Sequence, residues 1–317
     1  MMTRKQKVLA IGIFLGVLFW LPPAAQAVNP LQVAILRWYQ ANTFWPWDIT
    51  VGSWPTAIAF DGANMWVANY GANTLTQIRA SDGTVLDTIT SVGQRPLGLA
   101  FDGRAIWVAN SGSNNVYVQG GGVWPTTVAV GTEPAAIACD GSAIWVANRG
   151  SNNVTRITKK AAGGFNTMAI AVGTAPNGIA FDGLYIWVTN SGSNNVTKLN
   201  RRGQVLGTFS TGGITPYGIA FDGRNIWIAN LASHNVCKMS RSGEIIGTFD
   251  AGSAPYAVAF DGAAIWVTDF GGSDVRKFDL NGNLKAAVKV GQSPRGVAFD
   301  GAKIWVTNHN SNTVSVR

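Results

Sequence analysis

The chain has 317 residues, 47% hydrophobic and 13% charged, with 38 Gly, 13 Trp, two Cys and two His. Two cysteines exclude a disulfide-stapled scaffold, and two histidines leave little for a multi-histidine metal centre. The formal charge of +8 is scattered rather than gathered in runs, so no nucleic acid partner is expected.

Residues 1–27 read as a secretory signal. Arg4, Lys5 and Lys7 form a basic start, Val8 to Leu21 an apolar run too short for a typical membrane span, and Ala25-Gln26-Ala27 a small-x-small cleavage site. Cleavage after Ala27 removes three bases and lowers the charge to +5 (24 − 3 = 21 basic, 16 acidic). An exported protein, periplasmic or secreted, follows. No later stretch is long and apolar enough to span a bilayer.

Residues 28–45 form an N-terminal segment. Asn29-Pro30 is a helix start, and Leu31, Ala34, Ile35 and Trp38 share one face, which predicts a short helix over about 30–41.

Residues 46–317 carry one pattern seven times. The common form reads Pro, two variable residues, an apolar residue, Ala-Phe-Asp-Gly, two more, then Ile-Trp-Val-Ala/Thr-Asn, with single departures such as Cys139 for the Phe of blade three. Its Asp falls at Asp61, Asp102, Asp140, Asp182, Asp222, Asp261 and Asp300, at spacings of 41, 38, 42, 40, 39 and 39. A period near 40 announces a repeat architecture. Within one copy, Gly178–Phe181 and Ile186–Thr189 are β-rich runs joined by the turn Asp182-Gly183, followed by Asn195–Leu199 and Val205–Phe209. Four short strands in some 40 residues make one propeller blade. The fold class is therefore all-β, a closed seven-bladed β-propeller of four-stranded blades. The last copy ends at its third strand, and Trp47–Val51 is an orphan strand ahead of the first Pro, so the N-terminal strand is expected to complete the last blade and remove the exposed edges. Seven tryptophans at one place in the second strand are expected to pack between blades. Cys139 and Cys237 fall in blades three and five, too far apart to bridge, so two free thiols are expected.

What all blades share is architectural, so a site is sought where the pattern breaks. The Asn closing the second strand (Asn69 in blade one) is expected to adopt a left-handed conformation and bond its local backbone. No catalytic, cofactor-binding or metal-binding residue is assigned. Glu133 and Glu244 are the only Glu, and His309 has no Glu in its own or neighbouring loops. The breaks cluster in the two connections that open on one face. Beside the Pro stand Trp54 and Arg95 before it, or Tyr217, Tyr256 and Arg295 after it. After the repeat Asn, Ser gives way to Tyr70, Arg149, Leu231, Phe270 and His309. Aromatics and arginines on one face make a binding surface. The expected ligand-binding arc is Tyr70, Tyr217, Tyr256, Phe270, Arg295 and His309 around the channel mouth, for a small molecule, glycan or protein bound by a monomer.

The stretches IWVTNSGSNNVTKL and IWVTNHNSNTVSVR resemble the YVTN repeat of extracellular propellers. PNGIAFDG and PYGIAFDG look like the first strand of NHL-type repeats and of the virginiamycin B lyase family. The resemblance covers residues 46–317. It implies the propeller fold and a choice of activities: a non-enzymatic binding or scaffold protein, an envelope or surface structural protein, or a streptogramin lyase. The lyase branch opens a cyclic lactone ester by proton abstraction with a His, a supporting Glu and a divalent metal. That motif carries over to no residue of this chain.

Overall fold

A computed structural model describes residues 47–120, 126–161 and 163–317. The expected signal peptide, the segment 28–45 and its helix lie outside the described residues. The described chain is a closed ring of seven four-stranded antiparallel sheets and contains no helix. Blade four is representative: Pro176–Phe181 lines the central channel, then come Tyr185–Asn190, Asn195–Asn200 and, at the rim, Val205–Ser210.

The burial of each strand follows from its radius. The second strand has a neighbouring blade on both faces, so Ile186–Asn190 is buried throughout and needs no polar alternation. The rim strand has solvent outside it, and Val205–Ser210 alternates between exposed and half-buried. The tryptophans lie between blades as expected. Trp187 packs against Ile219, Ile226 and Ile228 of blade five.

Each indole has a second task. The Asp of the turn accepts backbone N–H groups on one oxygen and, in six blades, the indole N–H on the other. In blade four, Leu184 and Tyr185 donate to Asp182 Oδ1 at 2.9 and 2.7 Å, and Trp187 Nε1 donates to Oδ2 at 2.9 Å. Arg241 of blade five adds its guanidinium at 3.0 Å. Burial alone would raise the Asp182 pKa, but Arg241, Trp187 and the turn N–H groups lower it overall.

Closure is by the N-terminal strand. Trp47–Thr50 pairs antiparallel with Thr313–Val316, giving blade seven its fourth strand. Ser315 Oγ donates to Asp48 Oδ1 at 2.6 Å, and Arg317 reaches the same carboxylate at 3.1 Å. Cys139 and Cys237 are both free thiols, and burial pushes the Cys237 thiol up to about 12.

One expectation is corrected. The Asn that closes the second strand is not left-handed. It is fully buried, and its amide bonds sideways to the third strand: Asn190 Nδ2 donates to Asn195 Oδ1 and Thr197 Oγ1 at 2.8 and 2.9 Å. The left-handed residue stands four positions later, at Asn73, Asn114, Asn152, Asn194 and Asn312, where φ lies between 54° and 56°. The interior position needs a short side chain whose amide can donate twice to the third strand, whereas the tight turn needs one that tolerates positive φ.

Candidate functional site

The inner strands are built to turn one side chain toward the channel mouth. Each begins with a register shift after its Pro; in blade five Pro216 pairs with Asn230, but the next pair is Ile219 with Ile228. One extra residue on the inner strand re-aims the residue after Pro. Second-strand threonines steady these positions from the preceding blade. Thr189 Oγ1 donates to the Tyr217 carbonyl at 2.6 Å, and Thr268 Oγ1 to the Arg295 carbonyl at 2.9 Å. Close packing adds to this: a Cβ on Gly218 would meet the Tyr256 carbonyl at 2.5 Å.

The residue before Pro is held differently. Trp54, Arg95 and Glu133 sit at φ of 53°, 53° and 50°, a strained region for side chains of this size. The left-handed Asn of the preceding blade clasps each one. Asn312 Oδ1 accepts the Trp54 N–H at 2.9 Å, Asn73 that of Arg95 at 2.7 Å, and Asn114 that of Glu133 at 2.9 Å. The clasp recurs at Ala175 and Thr215. It changes at blade six. His234 replaces the Asn, Ala254 is not left-handed, and Asp269 Oδ1 accepts the N–H groups of Ser253 and Ala254 instead.

These positions enclose a cavity of about 450 Å³ at the Pro-bearing face. Blades one to three contribute Trp54, Arg95 and Glu133 from before Pro, and blades five to seven contribute Tyr217, Tyr256 and Arg295 from after it. Tyr70, Arg149 and His309 come from the position after the repeat Asn. The rings fall into two groups. On one side Tyr217 and Tyr256 have centroids 4.9 Å apart and Tyr256 and Phe270 6.1 Å, with the Arg295 guanidinium over both Tyr256 and Phe270 at 5.2 and 5.5 Å. On the other, Trp54, 51% exposed, stacks on His309 at 5.8 Å and leans on Tyr70 at 6.5 Å, with Arg95 over Tyr70 at 5.9 Å.

Five of the six residues expected in the arc line this cavity; Phe270 stands behind Tyr256 and Arg295 instead. Trp54, Arg95 and Arg149 were visible as breaks in the repeat. Glu133 stands at the same position before Pro134 as Trp54 before Pro55 and Arg95 before Pro96, and belongs with those breaks although the sequence reading did not count it among them. The cavity is thus lined by a Glu as well as a His, although Glu133 comes from blade three and not from a loop neighbouring His309.

Two polar atoms at the site are buried without a hydrogen-bond partner, Arg295 Nε and His309 Nδ1. Burial first, and then the Arg295 charge, hold His309 down to about 4, with the Pro55 backbone pulling weakly the other way. The ring is neutral at pH 7. Burial raises the Tyr256 pKa, an effect that Arg295 and Arg149 oppose.

No protein-family model matches the chain, and no curated protein does. Solved structures share its fold. A catalytically inactive virginiamycin B lyase from Staphylococcus aureus with quinupristin superposes with a TM-score of 0.73 at 17% identity, covering 86% of this chain and 98% of that one. Hydrazine synthase from Kuenenia stuttgartiensis gives 0.73 at 19% identity over 87% and 97%. The WD40 propeller domain of Doa1 gives 0.69 at 13% over 85% and 94%. At such identities the likeness concerns the fold, which serves enzymes and scaffolds alike.

Proposed function

We propose that the chain is an exported, monomeric, non-enzymatic propeller that binds a ligand or partner in the cavity at its Pro-bearing face. The supporting observation is the cavity: about 450 Å³, within the ordinary range for small-molecule sites, lined by rings and arginines and containing buried polar atoms without partners. Export rests on the residues 1–27 pattern. A pull-down from periplasm with the mature protein tests the reading. Tyr256→Ala with Arg295→Ala is expected to abolish capture of the co-purifying partner while the fold survives. Retained capture would place the site elsewhere.

The second reading, an enzyme of the streptogramin-lyase type, draws support from His309 and Glu133 sharing one cavity. A divalent metal does not fit there. Among the described residues no three His, Cys, Asp or Glu side chains come together, and a cation would face Arg95, Arg149 and Arg295. Opening of a macrocyclic lactone by the protein, lost in His309→Ala, would favour this reading.

A further inference from the structure

The cavity continues downward. Below the bowl the inner strands enclose a shaft of about 190 Å³ walled by Leu99, Ile137, Ile179, Ile219 and Val258. Tyr217, Tyr256 and Arg295 line both spaces and form the neck between them. The shaft is apolar and the bowl is basic. Arg95, Arg149 and Arg295 line the bowl against one acid, Glu133, and among the described residues none of these four forms an ion pair. Some arginines elsewhere meet an acid, as Arg201 does Asp140, Arg241 does Asp182 and Arg317 does Asp48; Arg156, over the Trp145 ring, has none and its Nε is likewise buried without a partner, but it lines neither the bowl nor the shaft. Arg295 rests on the faces of Tyr256 and Phe270, which attract a cation but accept none of its in-plane hydrogen bonds. Its Nε is buried and without a partner.

A planar five-donor group held by rings at a neck, with no carboxylate of its own, is matched by a carboxylate supplied from outside. The apolar shaft beneath it is matched by an apolar end. We propose that the cavity takes an amphiphilic organic carboxylate, its carboxylate on Arg295 at the neck, its apolar part in the shaft, and its exposed side under Arg149 and the tyrosines. This rests on the reading that the cavity is the binding site.

Isothermal titration of the mature chain with three probes of one shape tests it: 2-naphthoate, 2-naphthalenemethanol and 2-naphthylmethylammonium. The carboxylate is expected to bind at least tenfold more tightly than the alcohol, and the ammonium more weakly than either. Arg295→Gln should remove the advantage of the carboxylate over the alcohol. Arg202→Gln, on the opposite face, should change neither. Equal or inverted affinities across the series, no effect of Arg295→Gln in a variant whose melting curve is intact, or no naphthoate binding at millimolar concentration would each overturn the proposal. If Tyr256→Ala nonetheless releases the partner captured from periplasm, the anion class alone is wrong. If it does not, the cavity reading fails with it.

Discussion

The two ends of the propeller apply different rules to the same repeat. At the Asp–Gly end all seven turns are built alike, the carboxylate accepting the N–H groups two and three residues on. At the Pro end the backbone is nearly as regular, with the same left-handed positions and the same register shift, but the side chains it presents differ from blade to blade. Equal backbones with unequal side chains are what a ring needs in order to hold its shape and still recognise something. Stability should therefore be concentrated at the first end and between the sheets, and recognition at the second.

Four perturbations sharpen this contrast. The largest is deletion of residues 28–51, which leaves blade seven with three strands and exposes its edge. A loss of roughly 10 °C or more in Tm is expected, whereas deletion of 28–41 should change little. Differential scanning calorimetry decides it, and equal Tm values for the 28–51 deletion and the mature chain would break the argument from closure. Next comes Trp187→Ala, which empties the space between blades four and five and removes the indole from Asp182. A loss of about 3–5 kcal/mol in urea unfolding is expected.

The third is acid. Burial would raise Asp140, but the Ser142 hydroxyl, the Trp145 indole and two backbone N–H groups hold it down to about 2, against 3.8 for the free side chain. A depressed carboxylate contributes its stability fully above the unfolded value and loses it as pH falls through the folded one. Tm should therefore drop between pH 4 and pH 2, less steeply in Asp140→Asn. His309 works at higher pH with the same sign: its imidazole is at about 4 against 6.5 unfolded, so stability declines as pH falls from 6.5 to 4, and His309→Phe should flatten that limb. The smallest expected effect on stability is that of Tyr256→Ala with Arg295→Ala, within about 1 kcal/mol, in the same variant that loses its partner. A large loss of Tm there would make the cavity side chains structural and erase the contrast between the two ends.

How much was legible follows the same division. The period, the Asp-Gly turn and the fixed Trp are local patterns, and they sufficed for blade number, strand order and closure by the strand at Trp47. The orientation of the residue after Pro was legible too, once Tyr217, Tyr256 and Arg295 were seen to share a repeat position. The position before Pro was legible in the same way through Trp54 and Arg95, and Glu133 was missed there although it holds the same place before Pro134. The interblade contact of Arg241 with Asp182 was hidden. The two are 59 residues apart, and only the radial geometry brings a third-to-fourth turn beneath the Asp–Gly turn of the preceding blade.

The substituted clasp at blade six has a mechanical consequence. Around most of the hoop, neighbouring blades are joined at the Pro end by neutral asparagine amides, which are indifferent to electrolyte. Between blades five and six the asparagine is replaced by His234, and an ion pair crosses the boundary. Arg276 lies within 3.4 to 3.6 Å of Asp269 and Asp274 of its own blade and of Asp250 of blade five, and Lys289 reaches Asp274 at 3.4 Å. Attraction of this kind is weakened where salt reaches it; Asp250 is largely open to solvent, whereas Asp269 is not. The ring should thus part first opposite blade six rather than at blade seven, where its two ends are sewn together. Rising salt should therefore act through the exposed Asp250–Arg276 contact, lowering the Tm of the mature chain by more than that of Asp250→Asn.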